Sequence, residues 1–195
     1  MTKEHHTHVC PWWAAYFFDN PLRKLIHNSS RIMGSYLGPG MKAVDIGCGM
    51  GFFSIGMARL VGDEGAVYAL DIQEKMLKIA SKRAARKGLD SRIAFKLIEP
   101  DSLGPDILGM DEMVDFVLAF WVVHEVPDQD RLFSEIHEIL RPGGNFLMTE
   151  PSFHVKKDQV DRSIERAESA GLTLTSRPNI RLSGSALFMK PYRDK

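Results

Sequence analysis

The alternation of two hydrophobic periods is the feature that most limits the folds open to this chain. From residue 41 onward, short apolar runs rich in β-branched residues alternate with amphipathic stretches of helical period. This alternation is typical of a parallel sheet with crossover helices, because strands buried on both faces are nearly continuously apolar. The pattern therefore predicts an α/β fold, with a first strand at 41–46 and a fourth within 114–123.

Further apolar runs predict five more strands, at 66–70, 92–98, 145–149, 172–176 and 185–189. A short connection joins the last two, so they must be antiparallel to each other. Apolar stripes at helical spacing predict the intervening helices, the last over Val155–Ala170, and the prolines and glycines after the third strand predict a long loop.

Length and charge limit the classes of partner. At 195 residues the chain suits one domain with an appendage better than two domains. Its 25 basic and 25 acidic side chains give a formal net charge of zero, which argues against a nucleic-acid-binding surface. Only two cysteines, no signal-peptide pattern and no apolar run of the ~18 residues that a membrane span needs make the reducing cytoplasm the expected setting.

The first 40 residues differ in kind from the rest. Apolar surface as dense as theirs must pack on something, and three interpretations stay open: a helix docked on the core, a lid over a ligand pocket, or a membrane-interface anchor. We predict an N-terminal helical arm over 1–40 and a single ligand-binding domain over 41–195. The arm's aromatic residues are Trp12, Trp13, Tyr16, Phe17 and Phe18.

A glycine-rich turn follows the first predicted strand. Gly47, Gly49 and Gly51 lie between a strand and a helix, where glycine lets the backbone approach a ligand beside a helix N-terminus. Asp71 ends the second strand, where its carboxylate can accept hydrogen bonds from both hydroxyls of a ribose. Because both elements fall at the carboxyl ends of adjacent strands, we predict a nucleoside-binding site at that edge of the sheet.

Four motifs, taken in order, resemble those of the class I S-adenosylmethionine-dependent methyltransferases. They are 44–51 (VDIGCGMG), Asp71, 115–128 (DFVLAFWVVHEVPD) and 140–144 (LRPGG). The resemblance covers about residues 41–190 and is greatest to small-molecule enzymes of the ubiquinone and menaquinone biosynthesis type. It implies a single Rossmann-like doubly wound sheet of seven strands in the order 3-2-1-4-5-7-6, with strand 7 antiparallel.

The resemblance also implies S-adenosylmethionine as the cofactor and indicates which residues hold it. The glycine loop would bind the methionine part and Asp71 the ribose. An acidic residue after the third strand, Glu99 with Asp101 as a competitor, would receive the adenine amino group. The predicted cofactor-binding residues are Asp45, Gly47, Cys48, Gly49, Gly51, Phe53, Asp71, Ile72, Met76, Glu99, Ala119, Phe120 and Trp121.

His124 is the best candidate for a catalytic base, because it follows the fourth strand and an imidazole can accept a proton near neutral pH. The alternative is a histidine that only orders its loop or packs on the cofactor, since some acceptors are nucleophilic without a base. Glu125 and Glu150 are weaker candidates at neighbouring strand ends.

No metal is expected. His5, His6, His8 and Cys10 are ligand types, but four ligands so close in sequence can hardly surround one ion, and a tail without a metal is favoured. The cysteines also give little support to arsenite methylation.

Two other classes of function remain as alternatives to a methyltransferase that acts on a small, partly apolar molecule. One is a binding or regulatory protein that keeps the cofactor pocket without turnover. The other is a nicotinamide-dependent oxidoreductase, against which the GxGxG spacing and the absence of a Tyr-x-x-x-Lys pair argue. The motifs that mark the exocyclic-amine and cytosine-C5 nucleic-acid methyltransferases are absent, so no nucleic-acid partner is expected. The oligomeric state stays open.

Overall fold

A computed structural model describes residues 26–110 and 113–192. These residues form one seven-stranded sheet in the order β3-β2-β1-β4-β5-β7-β6. The first five strands are parallel, and β7 runs antiparallel to both β5 and β6, which confirms the predicted sheet. The strands are β1 (Lys42–Ile46), β2 (Ala66–Asp71), β3 (Ile93–Leu97), β4 (Val114–Phe120), β5 (Leu140–Pro151), β6 (Thr173–Ser176) and β7 (Ser183–Met189).

Helices cover both faces of this sheet. The described residues form the helices α1 (Ser29–Met33), α2 (Phe52–Val61), α3 (Glu74–Ala85), α4 (Pro105–Leu108), α5 (Gln129–Ile139) and α6 (Lys157–Ser169), with 3₁₀ turns at Asp90–Arg92 and Val123–Glu125. On one face, α1, α2 and α3 pack against one apolar cluster, and on the other α4, α5 and α6 pack against a second.

The central strand β4 shows why the sequence runs are apolar throughout. Phe116 and Leu118 belong to the cluster under α2, whereas Val117 and Ala119 belong to the cluster under α5, and all four are fully buried. Successive side chains of a strand point to opposite faces, so a strand covered on both sides has no position for a polar residue. Burial of a large side chain of this kind contributes about 1.5–3 kcal/mol.

Several predicted boundaries differ from the structure, and the start of the fifth strand differs most. The fifth strand begins at Leu140, five residues before the predicted start, because Leu140 pairs with Val114 and the register then shifts so that Asn145 pairs with Phe116. The Pro-Gly-Gly segment 142–144 therefore forms an irregularity inside β5 instead of a loop before it. The helix α6 begins at Lys157, two residues after its predicted start, because Val155 is buried in the core and Lys156 is the N-cap.

The long loop predicted after β3 contains a short helix, α4. Pro105 takes the first helical position, where its fixed φ is favourable and its missing N–H costs nothing, and Gly109 ends the helix. Ile107 is buried in the cluster under α5, so the loop is packed on the domain.

The part of the predicted arm that the structure describes packs on α2. Met33 and Leu37 are buried in the same cluster as Met57 and Val61. The aromatic residues 12–18 lie outside the described residues, so the choice between packing, lid and anchor stays a prediction. Among the residues that the structure describes, no helix is long and apolar enough to cross a membrane.

Candidate active site

An open cavity lies where the sheet reverses its order. The strand β1 pairs with β2 on one side and β4 on the other, and ligands of such sheets bind in the crevice outside the carboxyl ends of the strands at this point. The empty space measures about 930 Å³, including the part open to solvent. Its walls come from the ends of β1, β2, β3 and β4, and its lining includes Gly47, Gly49, Asp71, Ile72, Met76, Glu99, Leu103, Trp121, Val122 and Glu125.

The glycine loop after β1 needs glycine at two positions for different reasons. Gly47 has φ 67°, and a Cβ there would lie 2.6 Å from Cγ2 of Val122. Gly49 has φ 53°, but a Cβ there would meet no atom within 4 Å. Gly47 therefore allows the loop to contact the turn after β4, whereas Gly49 leaves bare backbone facing open space on the cavity wall.

Asp71 joins the first two loops of the site. One carboxylate oxygen accepts a hydrogen bond from the Gly49 N–H and the other from the Gln73 N–H, each at 2.8 Å. The side chain is 6% exposed, and burial raises the pKa of its carboxyl, although the backbone hydrogen bonds oppose the rise. Because a carboxylate has about four acceptor positions, capacity remains for hydroxyl donors from a ligand.

Asp45 and Cys48 are buried beside the cavity. Asp45 accepts a 2.5 Å hydrogen bond from Oγ of Ser54 on α2, so its carboxylate holds the first turn of that helix to β1. Burial, followed by the nearby charges of Asp45 and Asp71, raises the pKa of the Cys48 thiol well above its usual value. The thiol is therefore protonated at neutral pH and is not a nucleophile.

The two acidic candidates for adenine recognition both lie in the segment after β3 but have different surroundings. Glu99 is exposed and lies on the cavity wall. Asp101 forms an ion pair with Arg131, with Oδ2 3.2 Å from Nη1. The same arginine donates to Glu135, which also accepts the Leu103 N–H at 2.7 Å. Glu99 thus lies on the cavity wall, whereas the contacts of Arg131 and Glu135 attach this wall to α5.

An aromatic cluster packs around Trp121 of the cavity wall. The ring of Phe120 lies 4.2 Å from that of Phe53 and 5.3 Å from that of Trp121, measured between centroids. His27, which sequence reasoning missed, is 2% exposed and packs edge-on against both Phe120 and Trp121. No local motif marks this histidine, because its role follows from the packing of its loop against β4.

Trp121 has an uncommon backbone conformation. Its φ of 61° is in the left-handed region, which costs a non-glycine residue free energy. Two hydrogen bonds compensate: its N–H donates to the Thr149 carbonyl at 2.8 Å, and its Nε1–H donates to Oγ of Ser183 at 2.9 Å. The structure therefore fixes this ring on the cavity wall from both β5 and β7.

Partly exposed His124 and buried Glu150 form a pair beside the cavity. The imidazole Nδ1 is hydrogen-bonded to Oε2 of Glu150, and Nε2 lies 3.9 Å from Oε1 of Glu125. Burial lowers the pKa of His124, but the hydrogen bond and charge of Glu150, together with the charge of Glu125, outweigh it and raise that pKa above 6.5. The pairing of the predicted base with Glu150 was not anticipated from the sequence.

The predicted site residues thus divide into two groups. Residues on the cavity wall are Gly47, Gly49, Asp71, Ile72, Met76, Glu99 and Trp121. The others support the wall or lie beside it; they are Asp45, Cys48, Gly51, Phe53, Ala119, Phe120 and His124. Within the described ranges, no group of three His, Cys, Asp or Glu side chains could hold a metal ion. The cluster from His5 to Cys10 lies outside those ranges.

The comparison with protein families decides the class of this domain. Residues 37–178 match the family model described as a methyltransferase domain. The chain belongs to this family. Membership confirms the resemblance that the four motifs indicated, with S-adenosylmethionine as the cofactor of the class.

Similar sequences include enzymes of quinone biosynthesis. The demethylmenaquinone methyltransferase of Geobacillus stearothermophilus is 34% identical over 113 residues, which are 58% of this chain and 46% of that enzyme. The ubiquinone/menaquinone biosynthesis C-methyltransferase UbiE of Shewanella frigidimarina is 28% identical over 126 residues, or 65% of this chain and 48% of that enzyme. The chain thus spans about half the length of the relatives that it matches.

Solved structures confirm the fold. A SAM-dependent methyltransferase from Aquifex aeolicus superposes with a TM-score of 0.78 at 19% identity, covering 92% of this chain and 98% of that one. An O-methyltransferase from Thermotoga maritima gives 0.65 at 23% identity, covering 86% and 66% of the two chains. At these identities the likeness concerns the fold alone.

Proposed function

We propose that this protein transfers a methyl group from S-adenosylmethionine to a small, partly apolar molecule, of the quinone type that its relatives methylate. The observation that carries the proposal is the position of Asp71. Its carboxylate ties the Gly49 and Gln73 amides together at the switch point of the sheet and faces a cavity with acceptor capacity to spare. Family membership and the identity to demethylmenaquinone methyltransferases support the reaction type.

The residues present fit this cofactor. The cavity lies at the switch point of the sheet, where ligands of such folds bind, and its lining combines apolar side chains with a few polar ones. Gly49 leaves its wall bare, Asp71 and Glu99 supply acceptors for hydroxyl and amino groups, and Ile72 and Met76 supply apolar surface for a flat ring. Asp45, Cys48, Gly51 and Phe53 would support this cradle from behind.

When bound, the cofactor supplies a methyl group on a positively charged sulfur that is ready for in-line displacement. The protein's tasks are to align the acceptor with that methyl group and to exclude water. Phe120 and Trp121 form an apolar wall next to the cavity, and the hydrogen bonds of Trp121 to two strands keep this wall rigid. His124 stays the candidate proton acceptor.

The walls of the site support the proposed substrate class. Aromatic and aliphatic side chains with a few polar groups are typical of sites for small, partly apolar ligands. A formal net charge of zero gives no support to a nucleic-acid substrate. A cytoplasmic reaction is part of this proposal.

A protein that binds the cofactor without turnover is the second candidate. Labelled cofactor incubated with a small-molecule extract of the host separates the two, because only an enzyme yields products heavier by one methylene group. A product search by mass spectrometry is therefore the direct test of activity.

The cofactor site itself is tested by Asp71→Asn. We expect S-adenosylmethionine affinity, measured by calorimetry, to fall about 10–100-fold, since hydrogen bonds to a charged acceptor contribute about 1.5–3 kcal/mol. Asp101→Asn is the matched control, because Asp101 pairs with Arg131 and not with the cavity. Unchanged affinity in a folded Asp71→Asn protein would show that the cofactor site is wrongly placed.

A further inference from the structure

The carboxylate of Glu150 is unusually placed for a charged group. It lies near the end of β5 and is 1% exposed. Oε2 is bonded to Nδ1 of His124, whereas Oε1 has no hydrogen-bond partner. Burial of a charge with one oxygen unsatisfied costs stability, so packing alone does not account for a glutamate at this position.

The other nitrogen of the His124 ring lies near a residue of the cavity lining. Nε2 lies 3.9 Å from Oε1 of Glu125, and Glu125 is part of the cavity lining. The imidazole therefore lies between a buried carboxylate and one on the cavity wall. The His124 side chain keeps 17% of its surface exposed, which leaves the ring accessible.

We propose that Glu150 is a positioning residue that holds neutral His124 as the Nδ1–H tautomer, so that Nε2 is a bare proton acceptor for an ionisable hydroxyl of the methyl acceptor. This inference rests on the proposed function and adds the chemical class of the acceptor group, a phenol or enol hydroxyl. A carboxylate that accepts Nδ1–H fixes the tautomer and the orientation of an imidazole, and it stabilises the imidazolium that forms.

The proposed step balances within these groups. The acceptor's O–H bond breaks, its proton moves to Nε2 of His124, and its electron pair stays on the acceptor, which becomes a phenolate or enolate. This anion would form a bond to the methyl carbon through its oxygen or, in an enolate, through the conjugated carbon, while the methyl–sulfur bond breaks and its electron pair goes to the sulfur of the departing demethylated cofactor. Glu150 stays ionised and keeps its bond to Nδ1, so the product of the proton transfer is an ion pair inside the protein.

The two carboxylates near the ring act in the same direction. Glu150 faces it from β5, and Glu125 lies on the same turn. His154, from the segment after β5, packs edge-on with its centroid 5.3 Å away. Two carboxylates and one further imidazole surround the ring, and this balance favours the protonated form of His124. His124 is therefore a stronger base than a solvated histidine.

The tautomer provides a test that does not depend on activity. In water, neutral histidine prefers the Nε2–H form, whereas the proposal requires Nδ1–H. We expect ¹⁵N-detected NMR of the cofactor-free protein at alkaline pH to show Nδ1 protonated and Nε2 bare for His124, assigned with His124→Gln. An Nε2–H tautomer overturns the proposal, and this holds whether or not any Glu150 variant folds.

A matched pair of variants then tests the carboxylate. Glu150→Gln removes the charge bonded to Nδ1, and Glu125→Gln removes the charge 3.9 Å from Nε2. We expect the pKa of His124 to fall strongly in the first variant and slightly in the second. The acidic limb of the kcat profile should move to lower pH in Glu150→Gln. An equal fall in both variants, or none, contradicts the role of Glu150.

His124→Ala completes the design. We expect kcat to fall about 100-fold or more, the usual range for loss of a general base, with S-adenosylmethionine affinity unchanged. An unchanged kcat overturns the inference, because the acceptor then needs no base, while the cofactor site stays intact. The Asp71→Asn experiment tests only the cofactor site of the proposed function. Failure of the proposed function and failure of this inference therefore give different results.

Discussion

Hydrogen bonds compensate for backbone strain at one residue of this site. Trp121 has φ 61° and is held by hydrogen bonds to Thr149 and Ser183. Leu182, the only other non-glycine residue with positive φ among those described, directly precedes Ser183. The side chain of one strained residue is therefore hydrogen-bonded to the residue that follows the other.

The stability of the protein should depend on pH through His124. Its pKa is raised in the folded state, so its contribution to stability is fully present below about pH 6.5 and is lost as the pH rises through the folded-state pKa. We expect the difference in unfolding free energy between the native protein and His124→Gln to be larger at pH 6 than at pH 9. Urea titrations at both values measure it, and a difference that grows toward pH 9 would contradict the raised pKa.

At the residue scale, local sequence motifs identified residues of the cavity wall better than the contacts that hold side chains in place beside it. Asp71, Gly47 and Gly49 were predicted from the sequence because a strand end followed by glycine or aspartate has a local signature. The pairing of Glu150 with His124 has none, since 26 residues and a helix separate them. Only the parallel neighbours β4 and β5 bring the two together.

At the scale of elements, α5 controls one wall of the cavity. Glu135 on this helix is 7% exposed and accepts hydrogen bonds from the Leu103 N–H, Oγ of Ser102 and Nε of Arg131. Ser102 and Leu103 both line the cavity. One buried carboxylate therefore holds the segment after β3 in place.

Glu135→Ala should loosen this wall without unfolding the domain. We expect unfolding free energy to fall by about 1–3 kcal/mol, the cost of a buried donor left unsatisfied, and cofactor affinity to fall several-fold. Glu138→Ala on the same helix is the control, because its side chain is exposed. Denaturant unfolding and calorimetry measure the two effects; equal cofactor affinity in both variants would mean that this segment does not contribute to binding.

The elements were predicted well where periodicity was strong and poorly where pairing decided the boundary. The central strands and their helices follow from alternating apolar patterns. The early start of β5 depends on the pairing of Leu140 with Val114 across a register shift, which no local pattern reveals.

At the scale of the whole molecule, one sheet connects two apolar clusters. Phe116 belongs to the cluster under α2, and Phe146 belongs to the cluster under α5. Both rings are fully buried on adjacent, paired strands. The two clusters should therefore unfold together.

Phe116→Ala and Phe146→Ala test this cooperativity. Each should lower the unfolding free energy by about 3–5 kcal/mol, since a cavity replaces a buried ring. Leu97→Ala, at a side chain that is 59% exposed, should change it by about 0.5 kcal/mol. Circular dichroism and tryptophan fluorescence should report coincident transitions in all three variants; separated transitions would show that the two clusters are independent.

By itself, the sequence determined the α/β class, the family and the part of the cavity wall formed by the glycine loop and Asp71. These follow from patterns within a few residues: apolar periods, a glycine turn and an acidic residue at a strand end. The tertiary structure decided which side chains act together. The Glu150–His124 pair, the place of His27 and the attachment of Leu103 to Glu135 all join distant segments, because strand order and helix packing bring them into contact.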